Sequence, residues 1–417
     1  MTVKDNAMIM KMAWRNLWRN KRRTIITLVS IAFGFLLSIT FVSIGDGSYA
    51  KMINDAVKMG GGHVTIEPVG YRDKPALDLV VTKSDKLVEK LNAIPGVKNT
   101  ATRIIGQAMV ATAADSAGGG FIAIDPEKEN NSFFFFKHLK SGKPFENSTK
   151  NKIIIGQKMA DQLEVKVGKK LVLTTTSKSG EVVSGLYRVG GIFETGIMET
   201  DKFMVILPID SIRKLLGYNK NDSSQIAVYL DEQREADYMA KHLSSLVTPH
   251  NAVSLPWPKI MTELAGAIQM DSVGNYVFQC FLFLLIGAGI LNTVLMGVLE
   301  RMKEFGVMVA IGMTPGRLVK MIMTENLFLA IIGLIVGGCV SLPVYYYFNT
   351  VGLDMSSFMS EDMSVSGVMF DPLIKAKLYW DRVLWIFGGV FALIMTTGLY
   401  PSFVATKTRP VDTLKIT

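Results

Sequence analysis

The chain has 417 residues, 49% of them hydrophobic and 19% charged, and its mean hydropathy is positive. That composition points away from a soluble two- or three-domain protein and toward a membrane protein. The net charge of +9 does not mark a nucleic-acid surface: residues 1–23, 299–320 and 405–417 hold 14 basic against 4 acidic side chains, and the rest of the chain is close to neutral. Basic residues confined to short segments beside apolar runs are a topology signal.

From the N-terminus, MIMKMAWRNLWRNKRR places Met10, Ala13, Trp14, Leu17 and Trp18 on one helical face, with Lys11, Arg15, Arg19 and Arg22 around the other. This reads as an interfacial amphipathic helix over residues 1–23, with Trp14 and Trp18 as headgroup-depth anchors. Four charge-free apolar runs follow along the chain, Thr24 to Gly45, Ser272 to Leu299, Asn326 to Leu353 and Val383 to Thr406. Each is long enough for a helix to cross a bilayer core of about 30 Å. The first is too long for a signal-peptide core, so it reads as an uncleaved anchor. The expected fold is a membrane α-helical protein of four transmembrane helices with a large α+β extracytoplasmic domain inserted between helices 1 and 2. Its predicted segments are spans at 24–45, 272–299, 321–353 and 383–404, an outer domain at 46–271, cytoplasmic segments at 300–320 and 405–417, and an outer loop at 354–382. The basic flanks place both termini in the cytoplasm.

Within 46–271, GHVTIE, Thr102 to Ala111, FIAID, IIIG, FMVILP and QIAVYL read as strands, and SDKLVEKLNAI, QKMADQL and EADYMAKHLSSL as helices. Leu171 to Thr176 and Gly185 to Phe193 bracket the polar turn SKSGE as a hairpin. The run Phe133 to Phe136 fits core packing better than a sticky outer patch. From Lys259 a helical pattern runs without a proline into the second span. Cys280 and Cys339 both fall in apolar runs, so the outer domain has no disulfide framework. His63, His138, His242 and His250 lack metal-ligand spacing and read as ordinary residues.

No motif supplies chemistry. Gly60 to Gly62, Gly118 to Gly120 and Gly142-Lys143-Pro144 all lack the pattern GxxxxGKS/T that cradles nucleotide phosphates, and no nucleophile elbow or zincin motif occurs. No cofactor is expected on this chain. The middles of the spans hold no ionisable residue, against an ion-coupled carrier. Gly333 and Gly337 form a GxxxG pair that fits either packing within the chain or association of subunits. Pro343 and Pro401 read as kinks or span ends. Between spans two and three, ERMKEFGVMVAIGMTPGRL puts Phe305, Met308, Val309 and Gly312 on one helical stripe beside Arg301 and Glu304. Gly312 and Pro315-Gly316 end that helix. Such a helix fits a groove on another protein, or an interfacial connector with no partner.

Taken together, WRNLWRNKRRT, the large outer domain, RMKEFGVMVAIGMTPGRL and the tail TRPVDTLK resemble the FtsX-like, MacB-type permeases of ABC transporters. The resemblance implies that EFGVMVAIGMTP is a coupling helix, with Arg301, Glu304, Phe305, Gly306, Met308, Ala310, Gly312 and Pro315 against a separate ATPase subunit present in two copies. ATP and Mg would then sit on that partner. It further implies a second permease chain, like or unlike, in a bacterial inner membrane. The entry sequence and the EFGVM core look most similar to lipoprotein-releasing permeases, with lipoprotein cargo and a periplasmic carrier as partners. The SKSGE hairpin is shorter than the proline-bearing hook of the carrier-recruiting type. MacB-like export of peptides or amphiphilic small molecules, FtsX-like regulation of cell-wall hydrolases and a membrane-anchored enzyme are the competing expectations.

Overall fold

The computed structural model describes residues 3–129, 133–145, 151–355, 364–365, 368–369 and 373–406. The tail TRPVDTLK and residues 356–363, 366–367 and 370–372 of the predicted outer loop lie outside them. In chain order, α1 (Val3–Arg19) and α2 (Lys21–Met59) lead into a sheet-rich stretch. It comprises β1 (Val64–Pro68), α3 (Ser84–Asn92), β2 (Val97–Ala111), β3 (Ser116–Ile124), α4 (Pro126–Glu129), α5 (Phe134–Lys137), β4 (Leu139–Gly142) and β5 (Lys152–Gly156). Then come α6 (Gln157–Gln162), β6 (Lys170–Thr176), β7 (Val182–Phe193), α7 (Met198–Phe203), β8 (Met204–Pro208), α8 (Ile209–Leu216), β9 (Gln225–Leu230), α9 (Ala236–Val247), β10 (Ala252–Pro256) and α10 (Trp257–Ile260). The chain closes with α11 (Thr262–Glu300), α12 (Met302–Ala310), α13 (Pro315–Thr350), the short strands β11 (Leu353–Asp354), β12 (Ser364–Val365), β13 (Val368–Met369) and β14 (Leu373–Ile374), and α14 (Trp380–Thr406). Two compact units result: Met1–Ser48, Met270–Asp354 and Leu373–Thr417 form one, Tyr49–Gln269 and Met355–Pro372 the other.

In the first unit, α2, α11, α13 and α14 are each long and apolar enough to cross a membrane. Ile31, Phe35, Ile290, Leu334, Ile386 and Val390 meet in its core. A Cβ on Gly333 would come within 2.7 Å of Ile31, and one on Gly337 within 3.2 Å of the Ala32 backbone. The glycine pair therefore seats α13 directly on α2 of the same chain, which is the internal-packing alternative. Pro343 and Pro401 lie inside α13 and α14 and end neither. Helices α2 and α11 run past the apolar windows, to Met59 and back to Thr262, because backbone hydrogen bonding continues where side-chain polarity changes.

The second unit is built on a ten-stranded mixed sheet in the order β10-β1-β9-β2-β3-β8-β5-β7-β4, with β6 pairing β2 and β7. Strand β2 holds it together: Val97 to Arg103 pairs antiparallel with β9, and Ile104 to Ala111 with β3. One core packs Val110, Phe121, Leu173 and Leu207, and another packs Ile66, Leu91, Val228 and Leu243. Phe133 to Phe136 are all buried, in a third cluster with Phe145 and Phe193, as core packing requires. The SKSGE turn closes the β6–β7 hairpin, with the Ser177 amide donating to the Glu181 carbonyl at 2.7 Å.

Two buried polar groups tie the last turns of α2 to this sheet. Arg103 is fully buried; its guanidinium donates to Glu129 Oε2 at 2.5 Å, to the Tyr229 hydroxyl at 2.7 Å and to the Gly60 carbonyl. Burial opposes its charge, but the attraction of Glu129 and Tyr229 is larger and raises its pKa. His63 accepts the Leu230 amide at Nδ1, 3.0 Å, which leaves Nε2–H to donate to Asn54 Oδ1 at 2.9 Å; Asn54 in turn donates to Gln233. Burial, with Lys58 nearby, pushes His63 down to about 4.

Candidate coupling site

Helix α11 ends at Glu300 and the chain turns at Arg301, whose φ of −100° and ψ of 10° are non-helical, before α12 begins. Helix α12 stops at Ala310, and Gly312 sits at φ +108°, where a side chain would strain the backbone. Pro315 does not end this helix as the sequence suggested. It is the first residue of α13, where its fixed φ suits a helix start and its missing N–H costs nothing. The predicted segment 300–320 is thus a short helix, a turn and the first turns of the next helix.

Arg301 is the centre of the site. Its Nη1 donates to both carboxylate oxygens of Glu325 on α13, at 2.9 and 3.1 Å, and its guanidinium lies 5.1 Å from the Phe305 ring centroid. Asn16 of α1 donates to the same Glu325 at 2.8 Å. One turn on, Arg19 of α1 grips Glu304 through two hydrogen bonds of 2.6 and 2.9 Å. That bidentate contact holds the Glu304 carboxyl below its ordinary pKa and raises that of Arg19. Arg23 reaches Glu300 at 3.3 Å. Beneath these ion pairs, Ile9, Val298, Phe305, Leu318, Met321 and Ile322 form one apolar cluster. Helix α12 is therefore fastened to α1 and α13 by charge and by packing together. Pairs half in solvent add little each, whereas the Arg301–Glu325 pair, with side chains 8% and 13% exposed, is costly to break on one side only.

The sequence-predicted residues fall on two faces. Arg301, Phe305 and Gly306 point into the chain's own interior, and Met308 packs partly against the same cluster. Ala310, Gly312 and Pro315 are exposed, as is Glu304 in part. The stripe expected to meet a partner is, in its Phe305 half, an internal anchor. The open face instead carries Val307, 46% exposed, and Ile311, 82% exposed, which helical spacing from Phe305 had not singled out. The exposed isoleucine stands clear because its immediate neighbours, Ala310 and Gly312, are small. Asn16 and Glu325 were also missed: Glu325 immediately precedes the charge-free run that opens at Asn326. Trp14 and Trp18 are exposed on α1, with rings 6.0 Å apart, and Trp14 also meets Phe328 edge-on at 5.4 Å. Among the described residues no cluster of His, Cys, Asp or Glu could hold a metal.

Two family models cover most of the chain: an FtsX-like permease C-terminal region matches residues 276–410, which contain α12 and Glu325 but not Asn16, Arg19 or Arg23, and a MacB-like periplasmic core domain matches residues 24–246. The chain belongs to the FtsX-like, MacB-type permeases of ABC transporters. This permease is 23% identical to the uncharacterised ABC transporter permease MJ1507 of Methanocaldococcus jannaschii, over 98% of its own length and 97% of that protein's. It is 22% identical to the lipoprotein-releasing system transmembrane protein LolC of Neisseria meningitidis serogroup B, over 94% of each chain. The macrolide export ATP-binding/permease protein MacB 2 of Aeromonas hydrophila is 20% identical over 97% of this chain and 60% of that protein. Like these relatives the permease is a membrane protein, with four helices apolar enough to span.

Proposed function

We propose that this permease works with two copies of a separate ATPase, which bind ATP and Mg, and passes their motion through its spans to an outer α+β domain that releases lipoproteins from a bacterial inner membrane. In this reading the permease pairs with a second permease chain, both termini and residues 300–320 are cytoplasmic, and a periplasmic carrier accepts the cargo. The observation that carries it is the pairing of opposite properties in α12 and its two capping residues: an inner face fixed by Arg301–Glu325, Arg19–Glu304 and Phe305, and an outer face that leaves Val307 and Ile311 in the open. A helix held this firmly moves with the bundle, while exposed apolar side chains between charges suit a groove on a partner. The full-length similarity to a LolC supports lipoprotein as cargo.

A second reading, export of peptides or amphiphilic small molecules, is favoured by the match of residues 24–246 to the MacB-like core. Purification in mild detergent separates the two by what comes with the protein: acylated lipoproteins for the first, an adaptor and outer-membrane channel for the second. The coupling role has its own test. Ile311→Asp on the exposed face is expected to lower ATPase retention about tenfold, the effect of a central apolar contact, while the permease still inserts and folds. Full retention and undiminished cargo release by that variant would refute the coupling role.

A further inference from the structure

Among the described residues, the sheet unit carries a strand edge with no neighbour, which coupling does not use. Strand β7 pairs with β6 from Arg188 back to Val182, but with β5 only from Arg188 onward. The bonds at that junction show which way each backbone group points. The Arg188 amide donates to Asn151 on the β5 side at 2.9 Å, whereas Val189 bonds Lys169 and Gly168 on the β6 side. Successive residues of a strand alternate in direction, so Val182, Ser184 and Leu186 turn their N–H and C=O groups away from β6. Among the described residues no strand lies along them. At Gly185 to Tyr187 the edge borders a cavity of about 1090 Å³, whose wall carries Lys214 and Lys220 and also the acids Asp85, Asp125, Glu127 and Asp210.

Side chains along the edge narrow what fits. The registers place Lys152, Arg188 and Lys170 in one row across three strands, all exposed and, among the described residues, none in an ion pair. Arg188 spends one N–H on the Gly168 carbonyl, and the row is otherwise three neighbouring cations facing solvent. The next row is Leu186 beside Val172, the following one Ser184 bonded to Thr174 at 2.9 Å, and Val182 closes the series at 76% exposed. Adjacent like charges repel, and an acidic group set among them relieves that repulsion.

We propose that this edge binds an extended polypeptide segment, added as a strand beside Val182–Leu186, with apolar residues at alternate positions and an acidic residue at the Lys152–Arg188–Lys170 end. Alternating donors and acceptors select a polypeptide main chain, because an acyl chain or a glycan offers no matching alternation. Pockets for every second side chain supply the selectivity. The site is independent of the coupling role and of which cargo the permease handles.

The test uses the full chain in lipid nanodiscs and a fluorescent peptide of about eight residues, alternating Val and Thr and ending in paired Asp, followed by anisotropy. Saturable binding is expected. Ser184→Pro removes an outward N–H and no backbone bond to β6, losing there only the hydroxyl contact with Thr174, and weakens binding about tenfold. Methylating the peptide's edge-facing amide nitrogens weakens it by about as much and leaves the protein untouched, so a misfolded variant cannot imitate the result. Arg188→Glu weakens the Asp-ended peptide about tenfold, and a Lys-ended peptide hardly at all. Wild-type protein that does not bind the peptide at about millimolar concentration, or binding indifferent to N-methylation, overturns the proposal.

Discussion

Two buried arginines, one in each unit, sit in matching settings. Arg103 and Arg301 each pair with a glutamate and each lie 5.1 Å from a phenylalanine ring, Phe133 for the first and Phe305 for the second. Their surroundings differ. Arg103 is fully enclosed by β2, α4, β9 and the Gly60 carbonyl, so each of its three guanidinium nitrogens meets a fixed partner. Arg301 stands at a break between two helices. Its glutamate is shared with Asn16, the next glutamate along is shared with Arg19, and its Nε lies 3.6 Å from that second carboxylate without a hydrogen bond. A closed set of partners makes a staple; overlapping partners make a joint in which one ion pair can give way to another without leaving a charge bare.

If the first is a staple, cutting it is expensive. Glu129→Ala leaves the Arg103 guanidinium buried without its counter-charge, a change that costs roughly 3–5 kcal/mol. Thermal unfolding of the sheet unit, followed by protease resistance, is expected to fall accordingly. A shift of only a degree or two would mean that Tyr229 and Gly60 suffice, and the contrast with Arg301 would dissolve.

His63 sharpens the same end of the comparison, because its Nδ1 accepts the Leu230 amide only while the ring is neutral. Its folded pKa of about 4 lies below the ordinary 6.5, so between those values the unfolded chain binds the extra proton. Stability from this group is therefore complete above pH 6.5 and is lost as pH falls toward 4, by up to about 3 kcal/mol. Unfolding measured across that window is expected to steepen with acid in the natural protein and to flatten in His63→Gln, which starts less stable at neutral pH. Equal slopes would remove His63 from the clasp.

Reading the chain alone reached some of this and not the rest, for physical reasons. The spans were legible because a run without charge near the length of a bilayer has few other uses, and Phe133 to Phe136 were legible because four adjacent rings seldom face water. Family membership was carried by EFGVMVAIGMTP, and the two model matches bear it out. The direction of α12 was not legible. A helical stripe says which residues share a face, but only the positions of Ile9, Leu318 and Ile322 decide that the Phe305 face turns inward and leaves Ile311 outside. Arg103 was read merely as part of a strand, since Glu129 and Gly60 are distant in the chain and meet it through the sheet. The open edge of β7 was hidden for a related reason: a strand's pattern marks its faces, whereas its neighbours are set by topology.

The smallest effect tests the joint itself. Arg19 and Glu304 are about half exposed, so Arg19→Ala is expected to change stability by no more than about 1 kcal/mol despite the short bidentate contact. Solvent screening sets that limit, and it separates two meanings of the same ion pair. Should the pair merely decorate the surface, ATPase coupling in Arg19→Ala will match the natural protein. Should it hold α12 on α1, the variant will remain folded and inserted while cargo release per ATP hydrolysed drops severalfold, and Arg19→Lys, which keeps the charge but not the two-pronged grip, will recover only part of the loss. A stability loss as large as that of Glu129→Ala would place this pair with the staples and leave the joint with Arg301 and Glu325 alone.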